Sequence, residues 1–357
     1  MTLSAVALSR TFDQTWPPFV LILGLLMVGV TASSDGLFEA AGSRLARVRG
    51  NRLGLFASMM ALVALVTVVL NLDTSVVFLT PILLHVARRR GVPETAFLYG
   101  TVFMSNSASL LLPGSNLTNL LVLAPEHMTG GHFALRMFVP WLASIAVTFA
   151  VLVVWRWRDL HGAEDQPDEP RPFRAGLSLV GVGAAVACML VLVNPALPVL
   201  TLGVTLVAWQ TRARRLSLRE TLKVTSPATL AALFVGAMAL GLLARSWGAP
   251  ARLLNGAGAW GGAWLGAGLA AVLNNLPAAV LLSSKRPAHP LALLIGLDIG
   301  PNLVVIGALS ALLWIRIARR EQATPSALTY SRVGIILVPL ALGAALVALR
   351  MASPGSL

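Results

Sequence analysis

Asp73 and Asp298 are the two acids set deepest in apolar sequence, one in Asn71-Leu72-Asp73-Thr74 and the other in Gly296-Leu297-Asp298-Ile299-Gly300-Pro301-Asn302. An ionisable group in such surroundings costs about 3 kcal/mol or more and has a function by default. A carboxyl there can load and release a proton or coordinate a solute. The plainer alternative is that it caps a helix where the helix is interrupted. Neutral donors and acceptors cluster around both acids: Asn71, Ser105, Asn106, Ser107, Ser115, Asn116, Asn274, Asn275 and Asn302, with Ser109, Thr118 and Asn119 beside them. They suit the lining of a solute site. Their alternative use is hydrogen bonding between packed helices.

The composition says what must position these residues. The chain has 357 residues, of which 57% are hydrophobic and only 11% charged, against about 25% charged in a soluble globular protein. Apolar stretches able to cross a hydrocarbon core of about 30 Å recur from Trp16 to the C-terminus. The sequence therefore reads as a multi-pass protein of the cell inner membrane. The net charge of +13 rests on two Lys and 25 Arg, in short clusters between apolar stretches. That is the pattern of topology determinants rather than of a nucleic-acid surface.

Along the chain, a first span is expected at 16–37, followed by a basic loop. The segments Leu53–Leu70 and Ser75–Val86 flank the Asn71–Thr74 tip and have arginine clusters at both outer ends, so they read as a re-entrant hairpin. The stretch 93–123 is too long for one helix and is interrupted by Ser105–Ser109 and Pro113–Asn116. A span follows at 137–154. The polar, proline-containing segment 156–174 reads as a cytoplasmic linker between an N-terminal repeat, 1–155, and a C-terminal repeat, 175–357. Spans at 175–193, 197–209 and 227–243 lead to a second hairpin, with arms 256–273 and 278–284 around Asn274–Pro277. A second broken stretch, 291–317, is interrupted at Gly296–Asn302, and a last span covers 333–349. Asn71 and Asn274 are 203 positions apart, and Ser105 and Gly296 are 191 apart. The fold expected is all-α, an inverted-repeat membrane protein with two re-entrant hairpins and two broken helices. With the hairpins opening to opposite sides, the basic residues divide 20 inside and 7 outside, which accounts for all 27. Three spans precede the second hairpin and one precedes the first, so the N-terminal repeat reads as short of about two helices.

In lipid, a broken helix survives only where protein or a wet cavity satisfies its freed peptide groups. Four breaks in paired positions thus mark a cavity. Freed helix N-termini favour anions or polar oxygens there, and freed carbonyls favour cations.

Other chemistries fit less well. The sequence has no HExxH, GxSxG or GxxxxGK[ST] motif, and no cofactor or metal constellation is expected from Cys188 and the five histidines. Two aspartates could suggest an intramembrane protease, but its carboxylates must share one proton. Here they fall on different kinds of element. A non-transporting scaffold or sensor is a further alternative.

The stretch 19–350 resembles the arsenical pump membrane protein family, within the ion transporter superfamily that includes citrate and dicarboxylate carriers. Asn274-Asn275-Leu276-Pro277, Gly296-Leu297-Asp298-Ile299-Gly300-Pro301, Ile306-Gly307-Ala308-Leu309 and Leu312-Leu313-Trp314 carry the resemblance most specifically. In the first half, Asp73 with Leu79-Thr80-Pro81-Ile82, Ala108-Ser109-Leu110 and Ser115-Asn116-Leu117 look like the first hairpin and first broken helix of that family. The sequence departs from the family at Leu72, Asn106 and Asn302, where the pump has Asn, Asp and Lys. The resemblance implies a secondary transporter that exports arsenite or antimonite, with H+ or Na+ as the coupling ion. It also implies, as further partners, a separate ATPase subunit or a second copy of the chain. On this reading Asp73 and Asp298 would carry the coupling and the Asn and Ser residues would line the site. A carrier of inorganic anions or of di- and tricarboxylates is the alternative within the superfamily.

Overall fold

The computed structural model describes residues 5–45, 51–161 and 176–352. Most of the expected linker therefore lies outside the described residues. Among those described, all regular structure is helical. Helix α1 (Ala5–Ser34) and the short α2 (Leu37–Leu45) lead into a hairpin of α3 (Arg52–Val69) and α4 (Leu72–Arg89). A broken helix follows, α5 (Thr95–Ala108) and α6 (Leu117–Leu123), then the long α7 (Gly130–Trp155) and the single-turn α8 (Trp157–Leu160). The second half opens with α9 (Leu177–Val191), α10 (Ala196–Arg212), α11 (Leu218–Thr225), α12 (Pro227–Trp247) and α13 (Ala249–Gly256). It then repeats the earlier order: a hairpin of α14 (Gly258–Leu273) and α15 (Asn275–Leu282), a broken helix of α16 (Pro290–Ile299) and α17 (Leu309–Arg320), and the long α18 (Ala327–Ala352).

Five helical segments among the described residues are long and apolar enough to cross a membrane: Ala5–Ser34, Arg52–Val69, Gly130–Trp155, Leu218–Trp247 and Ala327–Ala352. The hairpins differ in their arms. Both arms of the first have 18 residues, about 27 Å at 1.5 Å per residue. The second has arms of 16 and 8 residues.

Three expectations need correction. The first helix starts well before Trp16, because Pro17 and Pro18 are carried inside it and do not start it. Ser105, Asn106 and Ser107 belong to the last turn of α5 and not to the interruption. The Ser105 hydroxyl bonds back to the Val102 carbonyl at 2.9 Å, so it is satisfied without breaking the helix. Likewise Gly296, Leu297 and Asp298 are helical, and the second interruption begins only at Gly300.

Asparagine side chains start the helices that matter. Asn71 accepts from the Thr74 amide at 2.7 Å, and Asn116 caps α6. Asn274 takes φ +92° and accepts from the Leu276 amide at 3.3 Å, which turns the chain sharply between α14 and α15. Small residues then bring α14 against α16: a β-carbon at Gly296 would collide with the Ala263 carbonyl.

Candidate functional site

The two hairpin tips and the two helix breaks meet at one cavity of about 390 Å³. Its polar wall is formed by Asp73 at the start of α4, Asn116 and Thr118 at the start of α6, Asn274 and Asn275 at the start of α15, and Ser310 at the start of α17. Apolar residues of α12, among them Leu233 and Leu240, close the other side. Three full helices, α4, α15 and α17, and the short α6 thus begin at one cavity. The first amides of a helix have no intrahelical acceptor and carry about half a positive charge. No lysine, arginine or histidine is among the lining residues.

The two acids have different surroundings. Asp73 is partly exposed to the cavity, and its Oδ1 is buried without a hydrogen-bond partner among the described residues. Asp298 is 1% exposed and lies behind the cavity wall. Its Oδ1 accepts from Asn116 Nδ2 and Thr118 Oγ1, both at 2.8 Å, and its Oδ2 accepts from Ser109 Oγ at 3.0 Å. All three donors are neutral. Asn116 and Thr118 face the cavity as well, so they connect it directly to Asp298.

A second polar layer links the broken helices to each other. Asn106 Nδ2 donates to Asn302 Oδ1 at 2.8 Å, and Asn302 Nδ2 donates to Ser107 Oγ at 3.3 Å. Ser310 donates to Asn106 Oδ1 at 3.3 Å, and Thr148 of α7 donates to Ser107 Oγ at 2.8 Å. The carbonyls freed by the breaks are answered by side chains. Asn119 donates to Ser109 O at 2.8 Å, Trp141 to Ala108 O at 3.1 Å, Tyr330 to Pro301 O at 3.1 Å and Asn274 to Ile306 O at 2.9 Å. This is how a non-helical backbone is kept in an apolar interior.

Of the residues singled out from sequence, Asp73, Asn116, Thr118, Asn274 and Asn275 line the cavity. Asn106, Ser107, Asn302 and Asp298 form the buried layers behind it. Asn71 caps α4, Ser105 bonds within its own helix, and Ser115 ties the first break to the Val68 carbonyl at 3.2 Å. Ser310, Thr148 and Tyr330 were not anticipated, because each bonds to a residue distant in sequence. A further unforeseen junction lies in the N-terminal third of α1. Gln14 Nε2 donates to Leu121 O at 3.1 Å and Ser283 O at 3.0 Å, while its Oε1 accepts from Arg245 at 2.5 Å. Among the described residues, no group of three or more His, Cys, Asp or Glu side chains is arranged to hold a metal ion.

The family model described as citrate transporter matches residues 2–297. The chain belongs to the citrate transporter family. A second family model, arsenical pump membrane protein, matches residues 249–352 and overlaps the first across the second hairpin. The chain is 26% identical to the arsenical pump membrane protein of Yersinia enterocolitica over 379 residues, covering 95% of this chain and 87% of that protein. It is 30% identical to the silicon efflux transporter LSI3 of Oryza sativa subsp. japonica over 153 residues, 42% of this chain and 31% of that protein. Among solved structures, the Alcanivorax borkumensis YdaH transporter superposes with a TM-score of 0.63 at 16% identity, covering 98% of this chain and 88% of that one. That likeness supports the fold. With these relatives, the resemblance seen in the sequence is to its own superfamily, and this family member is a multi-pass membrane transporter of the secondary kind rather than an enzyme.

Proposed function

We propose that the protein exports a small, neutral, hydroxylated metalloid, arsenite or antimonite as the trihydroxide, through the cavity between the hairpin tips, in exchange for protons. One observation carries this reading: the wall supplies amides, hydroxyls, helix starts and a single acid, Asp73, but no base. A citrate trianion would meet no full positive charge there, whereas a neutral trihydroxide can donate to Asp73 and accept from Asn116, Asn274, Asn275 and the helix starts. In this scheme Asp73 alternates between holding the solute and holding a proton. Asp298 sets the positions of Asn116 and Thr118 and carries the solute's arrival to the second helix break. The repeats at 1–155 and 175–357 each contribute one hairpin and one break to the site.

The convergence of helix starts favours a second reading, a carrier of carboxylates or inorganic anions coupled to protons or sodium. Uptake into everted vesicles separates the two. Arsenite accumulation that rises with an imposed proton gradient and collapses with a protonophore supports the metalloid reading. No gradient-dependent arsenite uptake from correctly inserted protein, together with citrate uptake driven by a proton or sodium gradient, would replace it with the anion reading.

A further inference from the structure

A groove of about 810 Å³ runs between α7 and α18 on the outside of the helix bundle. Val147, Val151 and Val154 of α7 and Ile336, Leu340 and Ala344 of α18 make it apolar. On α18, Arg332, Ile336, Leu340 and Ala344 recur every fourth residue, so they form one line along the helix. Arg332 and Ala344, twelve positions apart, are about 18 Å apart along the helix, close to the depth of one leaflet, half of a hydrocarbon core of about 30 Å. The polar groups of the groove are confined to one end, where Thr329, Arg332 and Trp155 meet. Arg332 is exposed and makes no ion pair among the described residues. By the charge count this end belongs to the arginine-rich side of the protein.

We propose that this groove binds an anionic phospholipid of the surrounding bilayer. Its phosphate is held by Arg332 and Thr329, its glycerol region lies beside Trp155, and one acyl chain runs along the Ile336–Leu340–Ala344 line. Charge complementarity selects the occupant. An apolar cleft facing lipid fills with acyl chains, and a lone guanidinium at leaflet depth recruits a negative headgroup.

The position gives the lipid a function. The inner faces of the same two helices hold the end of α5, just before the first break, and the second break. From α7, Ser144 donates to Ser107 O at 3.2 Å and Thr148 to Ser107 Oγ at 2.8 Å. From α18, Tyr330 donates to Pro301 O at 3.1 Å, and Gly334 lies so close to the Asn302 carbonyl that a β-carbon would collide with it. A lipid wedged between α7 and α18 therefore braces the supports of both breaks at once.

Native mass spectrometry of the purified full chain, titrated separately with phosphatidylglycerol and phosphatidylcholine, tests the proposal without reference to any transported solute. The wild type is expected to retain phosphatidylglycerol about fivefold more strongly than phosphatidylcholine, the preference one arginine confers at a membrane surface. Arg332→Gln should remove the preference and Arg332→Lys should keep it. Ile336→Trp, which fills the groove, should lower retention of both lipids, with each variant first checked as monodisperse by gel filtration. No preference in the wild type, or an unchanged preference in Arg332→Gln, overturns the proposal. So does a loss of dimer in Ile336→Trp with lipid retention unchanged, since a second copy would then occupy the face.

Discussion

The first hairpin tip and the second broken helix each carry one aspartate, and the two are held in opposite ways. Asp73 faces the cavity with one oxygen unbonded, whereas Asp298 is enclosed and accepts from Asn116, Thr118 and Ser109. Depth in apolar sequence makes both look alike. What separates them is the number of donors aimed at each. An acid with three fixed donors is part of the framework, and removing it strands Asn116 and Thr118. An acid without them is available to a solute or a proton, and removing it disturbs little else.

Removing the enclosed acid should have the largest effect. Asp298→Ala leaves the buried Asn116 amide and Thr118 hydroxyl without their acceptor, at about 1–3 kcal/mol each, while Ser109 keeps the Asn106 carbonyl at 2.8 Å; it should give protein that fails to run as a single species on fluorescence-detected gel filtration. Asp73→Asn should reverse the pattern, with transport in everted vesicles lost while the melting temperature is unchanged or raised. A fall in melting temperature as large as that of an Asp298 variant would erase the distinction between the two acids.

The asparagine caps of the two hairpins sharpen the comparison at smaller scale. Asn71 is extended at φ −173°, but Asn274 sits at φ +92°. Asn274→Ala should therefore cost about 2–3 kcal/mol, as cap loss adds to backbone strain, while Asn274→Gly, which removes the strain but also loses the bond to the Ile306 carbonyl, should cost about 1 kcal/mol. Asn71→Ala should cost about 1 kcal/mol, with glycine again milder by the same ordinary cap margin. Thermal unfolding in detergent gives the order. The smallest effect is expected at the Arg286–Glu126 pair, bonded at 2.8 and 3.0 Å with the arginine exposed: Arg286→Gln should lower the melting temperature only slightly.

Much of this architecture could be read from sequence where local chemistry decides it. Pro paired with Gly, in Pro113-Gly114 and Gly300-Pro301, disfavours a regular helix, and Asn71 and Asn274 stand at turns between apolar runs, so the hairpins and breaks were visible in outline. The short helices α2, α11 and α13, of nine, eight and eight residues, were not, because they are too brief to give a distinct apolar run. The serines of α5 misled for a physical reason: a hydroxyl that bonds its own helix carbonyl looks in sequence like one that ends the helix. The site was legible in residue type but not in layering. Nothing local distinguishes Asn116, which touches the cavity, from Asn106, which bonds Asn302 behind it.

The Gln14 amide has a mechanical consequence. One side chain on α1 grips Leu121 near the end of the first broken helix, Ser283 at the end of the second hairpin and Arg245 on α12. A hydrogen bond at 3.0 Å weakens steeply once stretched beyond about 3.5 Å. Sliding α15 past α1 by the width of a single atom would therefore release Ser283, and sliding α6 with it would release Leu121 in the same stroke. The residue works as a rivet that ties these three elements to α1.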